Sequence, residues 1–178
     1  WDWDFPCAPV LVDVEIEGRP GITKVIAQPS KQSWLYVLDR ETGEPIWPIE
    51  ERPMPASDVP GELLALTQPF PTRPPAFDRQ GATEDNLIDF TPELRAEAVA
   101  IANRYVTGPL FTPPSIRGDG PNDTRGTIQL PGSQGGADVQ GGAFDPETGI
   151  LYIPSITAPF VADIVEGNPD RTNLRYVK

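Results

Sequence analysis

Two stretches far apart in the chain repeat one another. Val37–Pro48 reads VLDRETGEPIWP and Ala143–Pro154 reads AFDPETGILYIP. Laid together, Asp39 stands over Asp145, Glu41 over Glu147, Thr42 over Thr148, Gly43 over Gly149 and Pro48 over Pro154. An acidic residue, a Thr and a Gly between two apolar strands form a hairpin signal, with the glycine supplying the positive φ that such a turn needs. A hairpin signature that recurs constrains the chain to repeated small sheets, as in the blades of a propeller. Trp47 in the first copy is large enough to fill the gap to an adjoining blade. Ile153 occupies that position in the second.

The first copy sits inside a run of short strands. Ala8–Ile16 places Val10, Val12, Val14 and Ile16 on one face and Asp13 and Glu15 on the other, the period-two pattern of a half-buried strand. Gly18–Gly21 is a turn, Thr23–Gln28 a second strand, and Pro29–Ser33 a second turn. Trp34–Leu38 is a third strand, rich in aromatic and β-branched residues. Pro45–Trp47 gives a short fourth, with Pro45 suited to an edge or a strand start. These four are expected to form one antiparallel, up-and-down sheet. Its ends bring a carboxylate of the Trp1-Asp2-Trp3-Asp4 stretch and the Lys31 ammonium towards one another.

Residues 49–126 break the rhythm. Pro-rich arms, Gln68–Pro75 and Phe111–Pro114, flank one helix expected over about 92–105. Thr91 caps it, Pro92 suits its first turn and Glu93 its positive dipole end. Leu94, Ala98, Ile101 and Tyr105 fall on one face, and Gly108-Pro109 ends the element. Such an insertion covers sheet edges or serves as a substrate-selecting lid. The division expected is therefore a first blade over 1–48, the insertion over 49–126, and further blade strands over 127–178.

Composition narrows the function. The 178 residues suffice for one domain, and 23 Pro and 16 Gly with 38% hydrophobic residues suit an ordered, loop-rich, all-β chain. The net charge of -12 repels phosphate backbones, so nucleic acid is excluded as a partner. Histidine is absent, which removes His-based triads, His-ligated zinc and the commonest general base. The one cysteine, Cys7, has no partner for an intrachain disulfide. The chain starts at Trp1 rather than Met, as a mature product or an excised piece does.

The repeat residues also carry a specific resemblance. Asp39-x-x-Thr42-Gly43-x-x-x-Trp47 resembles the tryptophan-docking repeat of the pyrroloquinoline quinone (PQQ)-dependent dehydrogenases. The runs WDWDFPCAP, QPSKQSWLYVLDRETG, PIWPIEERP, TQPFPTRPP and LFTPPS resemble its membrane-bound quinoprotein glucose dehydrogenase branch, over essentially the whole chain. The resemblance implies a C-terminal fragment of an eight-bladed β-propeller, about two antiparallel blades plus the insertion. It implies PQQ as cofactor beside a divalent metal, Ca or Mg, whose ligands are not assigned to this chain. It implies oxidation of a sugar or polyol hydroxyl, a ubiquinone-type acceptor, and the periplasmic face of the inner membrane. By the same resemblance Asp2 is the general base on the substrate hydroxyl and Lys31 contacts the reactive carbonyl of the quinone.

Three positions depart from the family. The chain is too short for eight blades, so the piece alone is expected to be inactive, with open edges that pair with the remaining blades or a second copy. Where the family continues Gly-Gly-Ala-Asn-Trp, this chain reads Gly135-Gly136-Ala137-Asp138-Val139, so the cofactor-directed Asn maps onto Asp138 with a donor lost and a charge added. The His-containing run that precedes the Trp-Asp pair has no counterpart. Two further readings stand beside the dehydrogenase: a non-catalytic propeller-type structural or interaction module, and a sugar-binding module using Trp1 and Trp3.

Overall fold

The run Trp34-Leu35-Tyr36-Val37 points its side chains alternately to two sides, and the fold buries both. The computed structural model describes residues 3–121 and 123–178. In it β1 (Val10–Glu15), β2 (Ile22–Pro29) and β3 (Leu35–Asp39) form a three-stranded antiparallel sheet in that order. Val12 lies opposite Val25, and Ala27 opposite Val37, so the apolar positions share a face. That face carries the first core of Val12, Ile16, Val25, Ala27 and Ile46, with Leu35, Val37 and Trp47 packed against it. The other side of the same run holds Trp34 and Tyr36 in a second core with Leu110 and Phe111.

The expected fourth strand is reduced to one isolated bridge, Leu38 to Pro45. Asp39 N–H donates to the Glu44 carbonyl at 2.8 Å and Ile46 N–H to the Val37 carbonyl at 2.9 Å, so the pairing brackets Pro45 at a position that needs no N–H and goes no further. The chain continues instead into β4 (Ile49–Pro53), which pairs with β5 (Thr67–Pro71) in a separate antiparallel hairpin. That hairpin belongs to the sheet-covering segment, yet Phe70 stands 4.7 Å from the Trp34 ring and Tyr36 donates to the Pro69 carbonyl at 3.2 Å. The insertion supplies half of a core, which is more than shielding.

The single helix, α1 (Pro92–Ala102), starts as the sequence indicates, with Leu94 N–H donating to Thr91 Oγ1 at 3.3 Å. It ends at Ala102, ahead of the expected boundary, where Asn103 N–H reaches the Val99 carbonyl at 2.9 Å. The face it presents inward also differs. Leu94 and Ile101 are exposed, whereas Arg95, Ala98, Val99 and Ala102 are half-buried. Arg95 accounts for the rotation: its guanidinium donates to the Glu84 and Leu87 carbonyls at 2.8 and 3.2 Å and pairs with the Glu84 carboxylate. Those bonds draw its side of the helix onto the 3-10 turn at Glu84–Asn86.

Beyond the helix come β6 (Ser115–Ile116), β7 (Thr127–Gln129), β8 (Ala143–Asp145), β9 (Ile150–Tyr152), β10 (Phe160–Glu166) and β11 (Tyr176–Val177). β10 is central: it pairs antiparallel with β7 and β11 and parallel with β6. β8 and β9 form the hairpin of the second repeat copy, and their Phe144 and Leu151 pack onto the first core beside Trp47. The two copies of the repeat therefore meet across one apolar layer.

The repeated turns are closed by corresponding hydrogen bonds that differ only in how the Thr takes part. Asp39 Oδ1 accepts from the N–H groups of Glu41 and Thr42 at 2.9 and 3.1 Å, and the Asp39 carbonyl accepts from Gly43 at 2.8 Å. Asp145 accepts from Glu147 N–H at 2.9 Å and Thr148 Oγ1 at 2.6 Å, with Gly149 N–H on its carbonyl at 2.9 Å. These bonds, from Glu41 N–H first at one turn and the Thr148 hydroxyl first at the other, hold both carboxyls below the usual range. Their contribution is present above the ordinary carboxyl range and fades as pH falls through the lowered values. Gly43 has φ 79° and Gly149 φ 71°, and a Cβ at either meets nothing within 4 Å. Gly43→Ala is therefore expected to cost backbone strain alone, about 1 kcal/mol in a urea titration.

Candidate functional site

The turn between β2 and β3 is a polar run, Ser30-Lys31-Gln32-Ser33, and all four residues are buried. Burying this much polar backbone is tolerable only if each group is satisfied. One carbonyl is satisfied within the turn and the other three by donors from remote parts of the chain. Ser33 N–H donates to the Ser30 carbonyl at 3.1 Å, Gly136 N–H to Lys31 at 2.9 Å, the Gln80 amide to Gln32 at 2.6 Å, and Phe77 N–H to Ser33 at 2.9 Å. Ser30 Oγ closes the turn on the Trp34 carbonyl at 2.9 Å. Ser33 sits at φ 69°, in the left-handed region that favours glycine.

Lys31 is the unusual member. Its side chain is only 9% exposed, and its Nζ lies 2.8 Å from Asp4 Oδ1, whose own side chain is 60% exposed. A lysine buried to this degree requires a counter-charge, and Asp4 supplies it. The same N-terminal segment is fastened a second time by Gln32, whose amide donates to the Trp3 carbonyl at 2.6 Å. The Asp4 ion pair and the Gln32 hydrogen bond thus fix the residues following the Trp-Asp pair to the lysine loop.

The Gly135-Gly136 turn closes against this loop. A Cβ on Gly135 would stand 2.6 Å from Lys31 Cα and 2.5 Å from its Cβ, and one on Gly136 would overlap Ser33 Oγ. Asp138 follows directly, half-buried, with its Oδ1 accepting from Val139 N–H at 2.8 Å and its carbonyl accepting from Cys7 Sγ at 2.7 Å. Burial pushes the Cys7 thiol above its ordinary value, and the nearby Asp138 and Asp4 charges push the same way against a Gly141 backbone hydrogen bond. Burial, then the Glu51 charge, raises the Tyr36 phenol to about 12. Val139, in the place of the family's tryptophan, is 74% exposed.

Of the residues singled out from sequence, Lys31 and Asp138 thus lie on two loops joined through Gly135 and Gly136. Asp2 lies outside the described residues. Asp4, Gln32 and Gln80 were not singled out. The signal for Asp4 was present in the alternation Trp1-Asp2-Trp3-Asp4, which puts a second carboxylate two positions on. Nothing local announces Gln80, far along the insertion.

Among the described residues, three buried polar atoms have no hydrogen-bond partner: Trp3 Nε1, Gln32 Oε1 and Ser33 Oγ. Buried polar groups are rarely left unpaired, and these gather on the lysine loop and the segment pinned to it. An unpaired donor beside a held cation suits a ligand with electron-rich oxygens. A cavity of 290 Å³ lies alongside, lined by Trp3, Phe5, Gln32, Tyr36, Gln68 and Phe111. Among the described residues no group of three or more Cys, Asp or Glu is arranged to hold a metal ion.

Comparison with known proteins agrees with the sequence. The family model for the glucose/ethanol/alcohol dehydrogenase β-propeller domain matches residues 1–177. The glycerol dehydrogenase large subunit of Gluconobacter thailandicus is 36% identical over 155 residues, 85% of this chain and 20% of that protein. The quinoprotein glucose dehydrogenase of Escherichia coli (strain K12) is 30% identical over 95% of this chain and 20% of its own length. The quinate/shikimate dehydrogenase (quinone) of Acinetobacter baylyi is 30% identical over 98% of this chain, again 20% of its length. The chain thus spans about a fifth of the relatives it matches. No solved structure matches it.

Proposed function

This chain belongs to the PQQ-type glucose/ethanol/alcohol dehydrogenase β-propeller family, and from that premise we propose that it is the part of a quinoprotein dehydrogenase that presents Lys31 to the cofactor. The observation that carries the reading is the buried Lys31 ammonium, held by Asp4 on a loop with unpaired polar atoms. PQQ, when bound, supplies the two-electron acceptor for alcohol oxidation. Lys31 offers three N–H donors on a compact cation, and Asp4 holds that cation in place on the loop. In a water-poor site such a cation stabilises negative charge developing on a quinone carbonyl oxygen. Asp2, by family position, takes the substrate hydroxyl proton. Asp138 borders the cofactor, and the metal is held by residues of the longer protein.

The substrate is proposed as a sugar or polyol, in keeping with the glycerol, glucose and quinate/shikimate of the relatives' names. A membrane quinone as acceptor and a place on the periplasmic face go with it. Among the described residues no helix is long and apolar enough to cross a membrane. The open edges of the small sheets pair with the remaining blades of the propeller. A non-catalytic module is the second reading, favoured by Asp138 and the exposed Val139 where the family has Asn and Trp.

The test is a titration of the purified chain with PQQ and Ca²⁺, read by tryptophan fluorescence. Saturable binding is expected, lost in Lys31→Ala and retained in Asp2→Asn, which removes the proposed base and keeps the Lys31 cation. Equal behaviour of wild type and Lys31→Ala would remove Lys31 from the cofactor site and favour the non-catalytic module.

A further inference from the structure

Within the insertion, five consecutive residues reach three other parts of the chain. Phe77 N–H donates to the Ser33 carbonyl at 2.9 Å, and the Gln80 amide to the Gln32 carbonyl at 2.6 Å. Gly81 N–H donates to the Leu130 carbonyl at 2.7 Å, at the entrance to the Gly-rich loop. Between them the Asp78 carboxylate accepts from the Ser155 hydroxyl, and from Thr157 Oγ1 at 2.6 and 2.8 Å, beyond the second repeat hairpin. Burial opposes ionisation of Asp78, but those hydroxyls and the Arg79 N–H outweigh it and hold the carboxyl below its usual range. Gly81 is itself fixed: a Cβ there would stand 2.8 Å from the Gly108 carbonyl oxygen and from Pro109 Cα.

We infer that Phe77–Gly81 is a strap that positions the Lys31 loop against the second repeat, with Gln80 as the positioning residue and Asp78 as its anchor. The inference rests on the reading of Lys31 as the cofactor-facing cation, and it extends that reading to residues outside both loops. The physical argument is local. The Gln32 carbonyl belongs to the Gln32–Ser33 peptide, the second after Lys31, in a turn where Ser33 is already at positive φ. Removing its donor leaves a buried acceptor unpaired, and the peptide rotates to find water. Rotation swings the Lys31 stem relative to Asp4, to which its ammonium is matched at 2.8 Å. The strap acts through Lys31 and touches no substrate.

The chain has three lysines, Lys24, Lys31 and Lys178, which makes amine labelling a clean readout. Acetic anhydride at low dose, followed by peptide mass spectrometry, reports each amine separately. In the wild type Lys31 is expected to label slowest, since its side chain is 9% exposed against 51% for Lys24. Gln80→Met keeps the volume and removes the donor. It is expected to raise Lys31 labelling about three- to tenfold, the population change that one neutral hydrogen bond governs, with Lys24 and Lys178 unchanged. Ser155→Ala combined with Thr157→Val cuts the far anchor without touching the loop, and is expected to raise the same amine by a smaller factor. Lys31 labelling at the wild-type rate in both variants would overturn the strap. A parallel rise at all three lysines would overturn it as well, since that signals general loosening. Adding PQQ to the wild type separates the two claims: absence of protection at Lys31 removes the cofactor reading, while the strap is decided by the cofactor-free labelling.

Discussion

Gly135→Ala is expected to destabilise the chain by about 3 kcal/mol or more, a large share of the roughly 5–15 kcal/mol that a domain has in total. Two costs add. The residue sits at φ 76°, where a side chain brings about 1 kcal/mol or more of backbone strain. Its new Cβ would also meet the Lys31 backbone at 2.6 Å, and Lys31 cannot retreat because its carbonyl is bound by Gly136 and its ammonium by Asp4. Overpacking against fixed atoms costs about 1–3 kcal/mol. Gly43→Ala is the control, since it carries a similar φ with open space around it. Urea titration of both should show Gly135→Ala losing clearly more. Equal losses would mean that the two loops are not pressed together as described. The same variant should accelerate labelling of Lys31, because the displaced partner is the lysine itself.

Trp34→Ala is expected to cost about 3–5 kcal/mol, the range for truncating a large buried aromatic residue. Trp34 sits among Tyr36, Phe70 and Phe111, at ring separations of 6.4, 4.7 and 6.1 Å. Phe70 comes from the insertion hairpin and Phe111 from the far end of the insertion, so the indole is what both pack against. Its loss should release the β4–β5 hairpin from β3, and the urea midpoint should fall with the slope little changed. Leu63→Ala, at a side chain 96% exposed, should stay within about 0.5 kcal/mol. A loss below about 1 kcal/mol at Trp34 would show that the insertion is not held by this cluster, since such a value matches surface substitutions rather than core ones.

Particular residues show how far the sequence reached. The Asp39–Gly43 and Asp145–Gly149 turns were legible because a hairpin writes its requirements locally: a side-chain acceptor at the start and a residue free to take positive φ at the end. β1, β2 and β3 were legible for the same reason, through period-two alternation. The α1 cap at Thr91 was legible, but its buried face was not. Sequence spacing grouped Leu94 with Ile101, whereas the bonds of Arg95 to Glu84 and Leu87 turned the helix the other way. The triplet Pro45–Trp47 suggests a fourth strand, but its pairing with β3 is confined to the two bonds either side of Pro45, and the chain then leaves for the β4–β5 hairpin.

The candidate site divides along the same line. Lys31, Asp2 and Asp138 were named from motif positions, and the family they indicate is the one the chain belongs to. The amino-acid order alone determined the repeated hairpins, the β-rich class and the family, because these rest on neighbours in the chain. Only the tertiary structure decided that Asp4 neutralises Lys31, that Gly135 and Gly136 close on its loop, and that Gln80 binds the carbonyl beside it. Those contacts join residues far apart in sequence, and a burial cost falls on a charged group only when the whole fold has removed its water.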